Sequence, residues 1–335
     1  MNSWKVPLRV LKRILSKPFF ALFRRYVFDV QYDDKLANII APAIKKFADK
    51  KYFELWQKNG VHITPNHFYQ PIPDTRELPE TLWGKDKECY GIDFQEQKQL
   101  SFLNDIIPKY LKECKFPKQP PCNSHEFYLG NGTFEAVDAE VLHCFIRHFK
   151  PGHIIEIGVG FSTLILASTS RLNANEGINT QLRIIDPYPN STLVDGRHGI
   201  DDIVISKVES LSPEYFDVLN ENDILFIDSS HVVKIGGDVN YYFFKILPRL
   251  KPGVIIHFHD IYLPEEYPRD LAFQHRWFWS EQYLLHAFLM HNSDYEVLFA
   301  GNYMRTFHQG VLASIIDSYE YGKTIPASFW IRKIR

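Results

Sequence analysis

Four short stretches of this sequence carry residue types whose spacing suits chemistry. The first is Ile154-Ile155-Glu156-Ile157-Gly158-Val159-Gly160-Phe161-Ser162-Thr163. It reads as an apolar strand running into a glycine turn, with a helix starting near Ser162. Glycines let a ligand approach the backbone closely, and the free N–H groups of a helix start favour an anionic group. The second, Arg183-Ile184-Ile185-Asp186, ends a strand on a carboxylate. The third, Asp223-Ile224-Leu225-Phe226-Ile227-Asp228-Ser229-Ser230-His231, ends on an acid with a histidine three residues on. The fourth closes on His257-Phe258-His259-Asp260. Asp228 and Asp260 end consecutive strands of one parallel sheet, so both should emerge at the same edge. Two carboxylates there repel unless a cation, a proton or a donor lies between them; the alternative is that each holds loop hydrogen bonds with no ion. His231 has the pKa range of a general base. His257 and His259 share one face of their strand. His259, nearer the strand end, is expected at the site, and His257 in the core.

A dinucleotide fingerprint would be Gly-x-Gly-x-x-Gly with an acid about 20 residues on. Here Thr163 replaces the third glycine, and the acid, Asp186, lies about 30 residues on. Glu156 is also foreign to that pattern. From residue 133 to 262 the motifs resemble those of class I S-adenosylmethionine-dependent methyltransferases. The resemblance implies that the Glu156-x-Gly158-x-Gly160 turn, with Ser162 and Thr163, wraps the methionine part of the cofactor. It implies that Asp186 bonds both ribose hydroxyls and that Glu209 sits near the adenine; alternatively Glu209 is a helix-start acid. The Asp228-x-x-His231 and His259-Asp260 strand ends, with Asp238 and Leu250-Lys251-Pro252-Gly253, are similar to the small-molecule O-methyltransferase branch. That branch includes catechol-type enzymes and sugar O-methyltransferases of antibiotic pathways. It implies that His231 takes the acceptor's proton, with Asp228 beside it and beside the cofactor. It also implies a divalent metal at Asp228, His259 and Asp260. Magnesium prefers oxygen ligands, and the imidazole of His259 favours manganese, iron or zinc.

The acceptor is expected to be a sugar, a polyketide-like molecule or a phenol. Its pocket is expected from Phe273-Gln274-His275-Arg276-Trp277-Phe278-Trp279 and from His67–Asp74, whose surrounding Asn66–Asp74 pattern is similar to bacterial proteins of this kind. Packing between subunits of a homo-oligomer accounts for these aromatics equally well. Two other readings stay open, an NAD-type Rossmann oxidoreductase and a non-catalytic relative that binds cofactor only. The aromatic motif that follows the fourth strand in DNA amino-methyltransferases is missing from Asp228-Ser229-Ser230-His231. A net charge of −2 gives no support to a nucleic-acid partner.

The elements that must position these groups form an α/β fold, a Rossmann-like doubly wound and mostly parallel sheet with an N-terminal helical extension. Residues 1–130 are expected to be that extension and a substrate cap, and residues 131–335 the methyltransferase domain. Strands are expected at His153–Ile157, Leu182–Ile185, Asp202–Ser206, Asp223–Ile227 and Val254–Phe258. Helices are expected at 34–59, 93–114, 133–149, Ser162–Leu172, Leu211–Leu219 and Gly237–Leu250. The apolar runs Glu296–Ala300, Gly310–Ile315 and Ala327–Ile331 are expected to complete the sheet edge. The four cysteines show no CxxC spacing and read as reduced thiols of a cytoplasmic protein. Residues 4–28 form a basic apolar segment that either packs on the domain or touches an anionic membrane surface.

Overall fold

The computed structural model describes residues 34–335 apart from 85, 86, 88, 122–125 and 191–198. The basic segment at 4–28 and Cys122 lie outside the described residues. The chain divides into two compact units, one ending at Glu77 and one spanning Leu78–Arg335.

In the first unit, α1 (Asp34–Phe47) and α2 (Phe53–Lys58) replace the single helix expected over 34–59. The break falls at Asp49, whose carboxylate accepts the Lys51 N–H and starts a 3-10 turn over Lys50–Tyr52. The Trp56 indole N–H donates to the Phe47 carbonyl across the break. Further on, Asn66 and Arg76 both donate to the Asp74 carboxylate, and the rings of His67, Phe68 and Tyr69 pile on one another.

The second unit is built on seven strands: β1 (His153–Ile157), β2 (Gln181–Ile185), β3 (Asp202–Val204), β4 (Ile224–Ile227), β5 (Ile255–Phe258), β6 (Tyr295–Ala300) and β7 (Phe329–Lys333). Their order in the sheet is β3-β2-β1-β4-β5-β7-β6. The first five pair parallel, and β7 runs antiparallel to both of its neighbours. Buried apolar residues on both faces explain the unbroken Ile-Leu-Phe strands. Ile154, Phe226 and Trp330 pack in one core with Leu142 and Phe145. Ile155, Leu225 and Ile331 pack in the other with Phe243 and Phe258.

The helices on these faces are α3 (Glu96–Ser101, continued by Ile107–Tyr110), α4 (Asp138–Phe149), α5 (Phe161–Ala174), α6 (Asp238–Tyr241, continued to Arg249), α7 (Glu281–Leu289) and α8 (Gly301–Ile315). A π turn interrupts α3 at Phe102–Ile106 and α6 at Tyr242–Ile246, each directly before an Ile107-Pro108 or Leu247-Pro248 step. Proline withholds the N–H that would close the preceding turn, and its ring opens the helix there. Three further expectations are corrected. The helix expected from 133 begins at Asp138, because the Asn131 side chain accepts the Thr133 and Phe134 N–H groups in a turn. Leu211–Leu219 holds only a 3-10 turn at Pro213–Phe216, with proline at its start. Gly310–Ile315 is the end of α8, not a strand, with Met304 and Leu312 buried on its inner side. No helix among the described residues is long and apolar enough to cross a membrane.

Candidate active site

The turn after β1 is fixed by contact with the loop after β4. Gly158 has φ +93°, and a Cβ on it would lie 1.8 Å from the Asp228 carbonyl oxygen. No other residue fits there. Glu156, at the end of β1, is fully buried and accepts hydrogen bonds from Ser162 Oγ and Thr163 Oγ1, both at 2.7 Å. It thereby ties the strand end to the first turn of α5. Burial pushes its pKa up to about 8, against the two hydroxyl donors that favour the charged form. Asp186, at the end of β2, accepts the Val159 N–H at 2.9 Å and the Tyr188 N–H at 2.6 Å.

A cleft of about 670 Å³ opens at these strand ends. Its walls include Gly158, Asp186, Tyr188, Glu209, Asp228 and Lys234. Of the residues expected at the cofactor, these walls contain Gly158, Asp186, Glu209 and Asp228. Glu156, Gly160, Ser162 and Thr163 are not among the wall residues. Ser162 and Thr163 spend their hydroxyls on Glu156, and Gly160 N–H donates to Thr163 Oγ1. Glu209 lies in a 3-10 turn, Val208–Ser210, rather than at the start of a helix.

At the other side of Asp228 the charged groups gather. Pairing of β4 with β5 sets Ile227 beside Phe258, so Asp228 and Asp260 leave neighbouring strand ends. His231 Nε2 lies 3.3 Å from Asp228 and 3.4 Å from Asp260, the donor between two carboxylates. Its other nitrogen, Nδ1, lies 2.9 Å from Glu281 Oε2. The Tyr242 hydroxyl donates to the second oxygen of Glu281, which is buried at the start of α7. The Ser280 and Glu281 N–H groups also donate to the His231 carbonyl, at 2.9 and 3.1 Å. Both His231 and Asp260 hold left-handed backbone conformations, at φ +58° and +57°, which non-glycine residues adopt only when their surroundings impose it. Burial disfavours a charge on His231, but Asp228, Glu281 and Asp260 together outweigh it and hold its pKa well above the usual histidine value.

Asp228, His231 and Asp260 form a set whose ligand atoms lie within 4.8 Å of one another, close enough to hold one metal ion. Two carboxylates and an imidazole suit manganese at least as well as magnesium, and an imidazole must shed its proton to ligate. His259 lies outside this set. Alternation along β5 carries its ring to the other face, 4.9 Å from Phe134, with Nε2 3.4 Å from the Thr133 carbonyl and Nδ1 buried without a partner. His257, on the same face, stacks on Phe226 at 3.9 Å and pairs with Ser328 Oγ at 3.0 Å. Burial holds its pKa well below the ordinary value.

Sequence reasoning missed Glu281, 50 positions from His231, and Tyr242, which holds Glu281 in turn; Trp279 was expected at the acceptor pocket but not against His231, 48 positions away. Glu281 opens an apolar run in the manner of any helix-start acid. Its only distinguishing sign is the loss of solvent, which one sequence does not show.

A family profile described as a methyltransferase domain matches residues 155–261, the stretch from β1 to the end of β5. An uncharacterized protein of Archaeoglobus fulgidus is 34% identical over 176 residues, which is 49% of this chain and 77% of that protein. Among solved structures, the MycE methyltransferase of the mycinamycin biosynthetic pathway, solved with Mg, SAH and mycinamycin VI, is similar at 16% identity and a TM-score of 0.32. That match takes in 57% of this chain and 48% of MycE, so the chain spans about half the length of that protein. CalS11, a TDP-rhamnose 3'-O-methyltransferase of calicheamicin biosynthesis, is similar at 15% identity and a TM-score of 0.34, over 72% of this chain and 95% of CalS11. Joined to the strand order and the Glu156–Gly160 turn, the domain match shows that residues 155–261 belong to a class I S-adenosylmethionine-dependent methyltransferase domain.

Proposed function

We propose that the enzyme methylates a hydroxyl of a small acceptor, with His231 as the base. The observation that carries this reading is the placement of His231 beside Asp228, a wall of the cleft, with Glu281 fixed behind the ring. In this reading Gly158 and Gly160 face the methionine part of S-adenosylmethionine, and Ser162 and Thr163 hold Glu156 so that the turn keeps its shape. Asp186 takes the ribose hydroxyls with the lone pairs left over from Val159 and Tyr188. Glu209 lies toward the adenine. The sulfonium supplies an activated methyl group for in-line attack.

The acceptor hydroxyl must lose its proton as its oxygen attacks, and a placed base contributes roughly 100-fold or more. His231 Nε2 is the atom that receives it. Glu281 fixes the ring by accepting from Nδ1–H, which leaves Nε2 free to accept when the ring is neutral. Trp279 covers the ring at 4.7 Å. A divalent ion held by Asp228 and Asp260 would neutralise the acids and lower the pKa of the acceptor hydroxyl and of His231.

The test is titration calorimetry with S-adenosylmethionine and S-adenosylhomocysteine, with and without magnesium or manganese, followed by an acceptor screen among sugars and phenols. Micromolar binding and methylation of a hydroxyl support the proposal. Binding with no turnover on any acceptor would favour the non-catalytic relative. Methyl transfer to nitrogen or carbon would overturn the choice of oxygen.

A further inference from the structure

The first unit has no core of its own. None of the described residues from 34 to 77 is buried, whereas Leu78–Arg335 closes two large apolar cores. Apolar side chains nonetheless fall in order along α1. Ile40, Ile44 and Phe47 are four and three residues apart, so at about 100° per residue they share one stripe. They are 37, 41 and 43% exposed. Lys45 and Lys46, in the last turn, fall on the other side of the helix. Tyr52 and Trp56 meet the Phe47 ring edge-on, at 5.3 and 6.3 Å, and both ring types favour the headgroup level of a bilayer.

Charge follows the same division. The 3-10 turn after α1 adds Lys50 and Lys51. Among the described residues, the lysines that reach a carboxylate are Lys87, Lys98, Lys118, Lys150 and Lys323, all in the other unit. Residues 1–60 hold 13 Lys and Arg against 5 Asp and Glu, and the remaining residues hold 25 against 35. A chain of net charge −2 is thus a segment of +8 joined to a remainder of −10. Such asymmetry marks a partner that is itself charged.

That partner must take up apolar side chains and carry negative charge. A nucleic acid supplies the charge but no apolar layer for Ile40, Ile44 and Phe47. A second copy seated on the same stripe supplies the layer but brings like charges together. A bilayer surface with anionic headgroups supplies both. At 14 residues α1 is about 21 Å long, too short for a hydrocarbon core of about 30 Å. It fits the plane of the interface instead. We propose that α1 and the turn after it dock this protein on an anionic membrane surface. Ile40, Ile44 and Phe47 face the acyl chains, and Lys45, Lys46, Lys50 and Lys51 lie among the headgroups.

The experiment is co-sedimentation of the full chain with vesicles of phosphatidylcholine alone and of phosphatidylcholine mixed with phosphatidylserine. The mixed vesicles should bind it about tenfold more tightly, and added salt should weaken that binding. Replacing Ile40, Ile44 and Phe47 together by Gln should remove most of the binding. Replacing Lys45, Lys46, Lys50 and Lys51 together by Glu should abolish the preference for phosphatidylserine. All seven side chains are exposed, so both variants should keep the parent's helix content and unfolding temperature. Equal binding to the two vesicles, or none, would overturn the proposal. Binding that survives the glutamines would overturn it too, by leaving α1 out of the contact. Tighter binding to duplex DNA than to the mixed vesicles, indifferent to the glutamines, would reassign the surface to nucleic acid. A dimer in sedimentation velocity that the glutamines dissociate would give the stripe to a second copy.

Discussion

Each side of Asp228 is organised by a buried glutamate, and the two do opposite things. On the cofactor side Glu156 faces two hydroxyls, six and seven residues along the chain. On the reacting side Glu281 faces an imidazole and a phenol brought from 50 and 39 residues away. A hydroxyl can donate to a carboxylate or accept from a carboxylic acid, so the Glu156 site tolerates a proton on the acid. At the Glu281 site three acids favour the charged form of the ring against the cost of its burial. The same residue type is a neutral brace in one place and the partner of a charge in the other. Neighbours decide which, not burial, since both side chains are almost fully enclosed.

This contrast can be broken at its hinge first. Gly158→Ala would drive a Cβ into the Asp228 carbonyl at a positive φ. It should cost about 3 kcal/mol or more of stability and disable both sides together, as read by denaturant unfolding and S-adenosylhomocysteine binding. Full stability in that variant would mean that the two turns are not in contact. Glu281→Ala should act on one side only. Methyl transfer should fall by roughly 100-fold with S-adenosylhomocysteine affinity unchanged, and Glu281→Gln, which can still accept from Nδ1–H, should recover part of the rate. Equal loss of rate and affinity would erase the distinction between the sides.

Glu156→Gln sharpens the contrast through pH. The folded protein keeps a proton on Glu156 up to about pH 8, whereas the unfolded chain releases it near 4.5. Between those values the folded state binds more protons, so stability should fall as pH rises, by at most about 1.4 kcal/mol per pH unit from this group. The glutamine variant should lose that slope in denaturation midpoints measured from pH 5 to 8. The smallest effect is expected from Asp186→Ala. It should weaken S-adenosylmethionine binding roughly tenfold, the loss of about one charge-assisted hydrogen bond. Unchanged affinity by calorimetry would remove Asp186 from the ribose.

What could be read in advance follows the same division. The Glu156–Thr163 turn is a local object, with strand, turn and helix start contiguous, so its residues announce one another. The parallel strands were legible because burial on both faces leaves unbroken apolar runs. Asp228, His231 and Asp260 were found as strand ends, since sheet order alone brings them to one edge. His259 was misplaced from the set because Asp260 turns into a left-handed conformation while His259 keeps the strand's alternation and points to the Phe134 side. Glu281 and Trp279 were out of reach as partners of His231, since nothing in the sequence around 280 states what lies opposite. Gly310–Ile315 was misjudged because a short apolar run fits either period until its buried neighbours are known.

β7 carries a last consequence, one of timing. It comes after β6 in the chain but is inserted between β5 and β6. As a nascent chain lengthens, β1 to β5 can assemble in turn, yet the far edge of Ile255–Phe258 stays unpaired while everything from 259 to 328 is being made. An open apolar edge invites pairing with another chain. The strand that seals it brings Trp330, whose ring lands 4.1 Å from Phe145 and 4.5 Å from His257. Sealing the edge and filling the core are therefore one event. A partly made copy of this protein is vulnerable to aggregation until that late strand arrives, long after the residues of the Gly158 turn have been made.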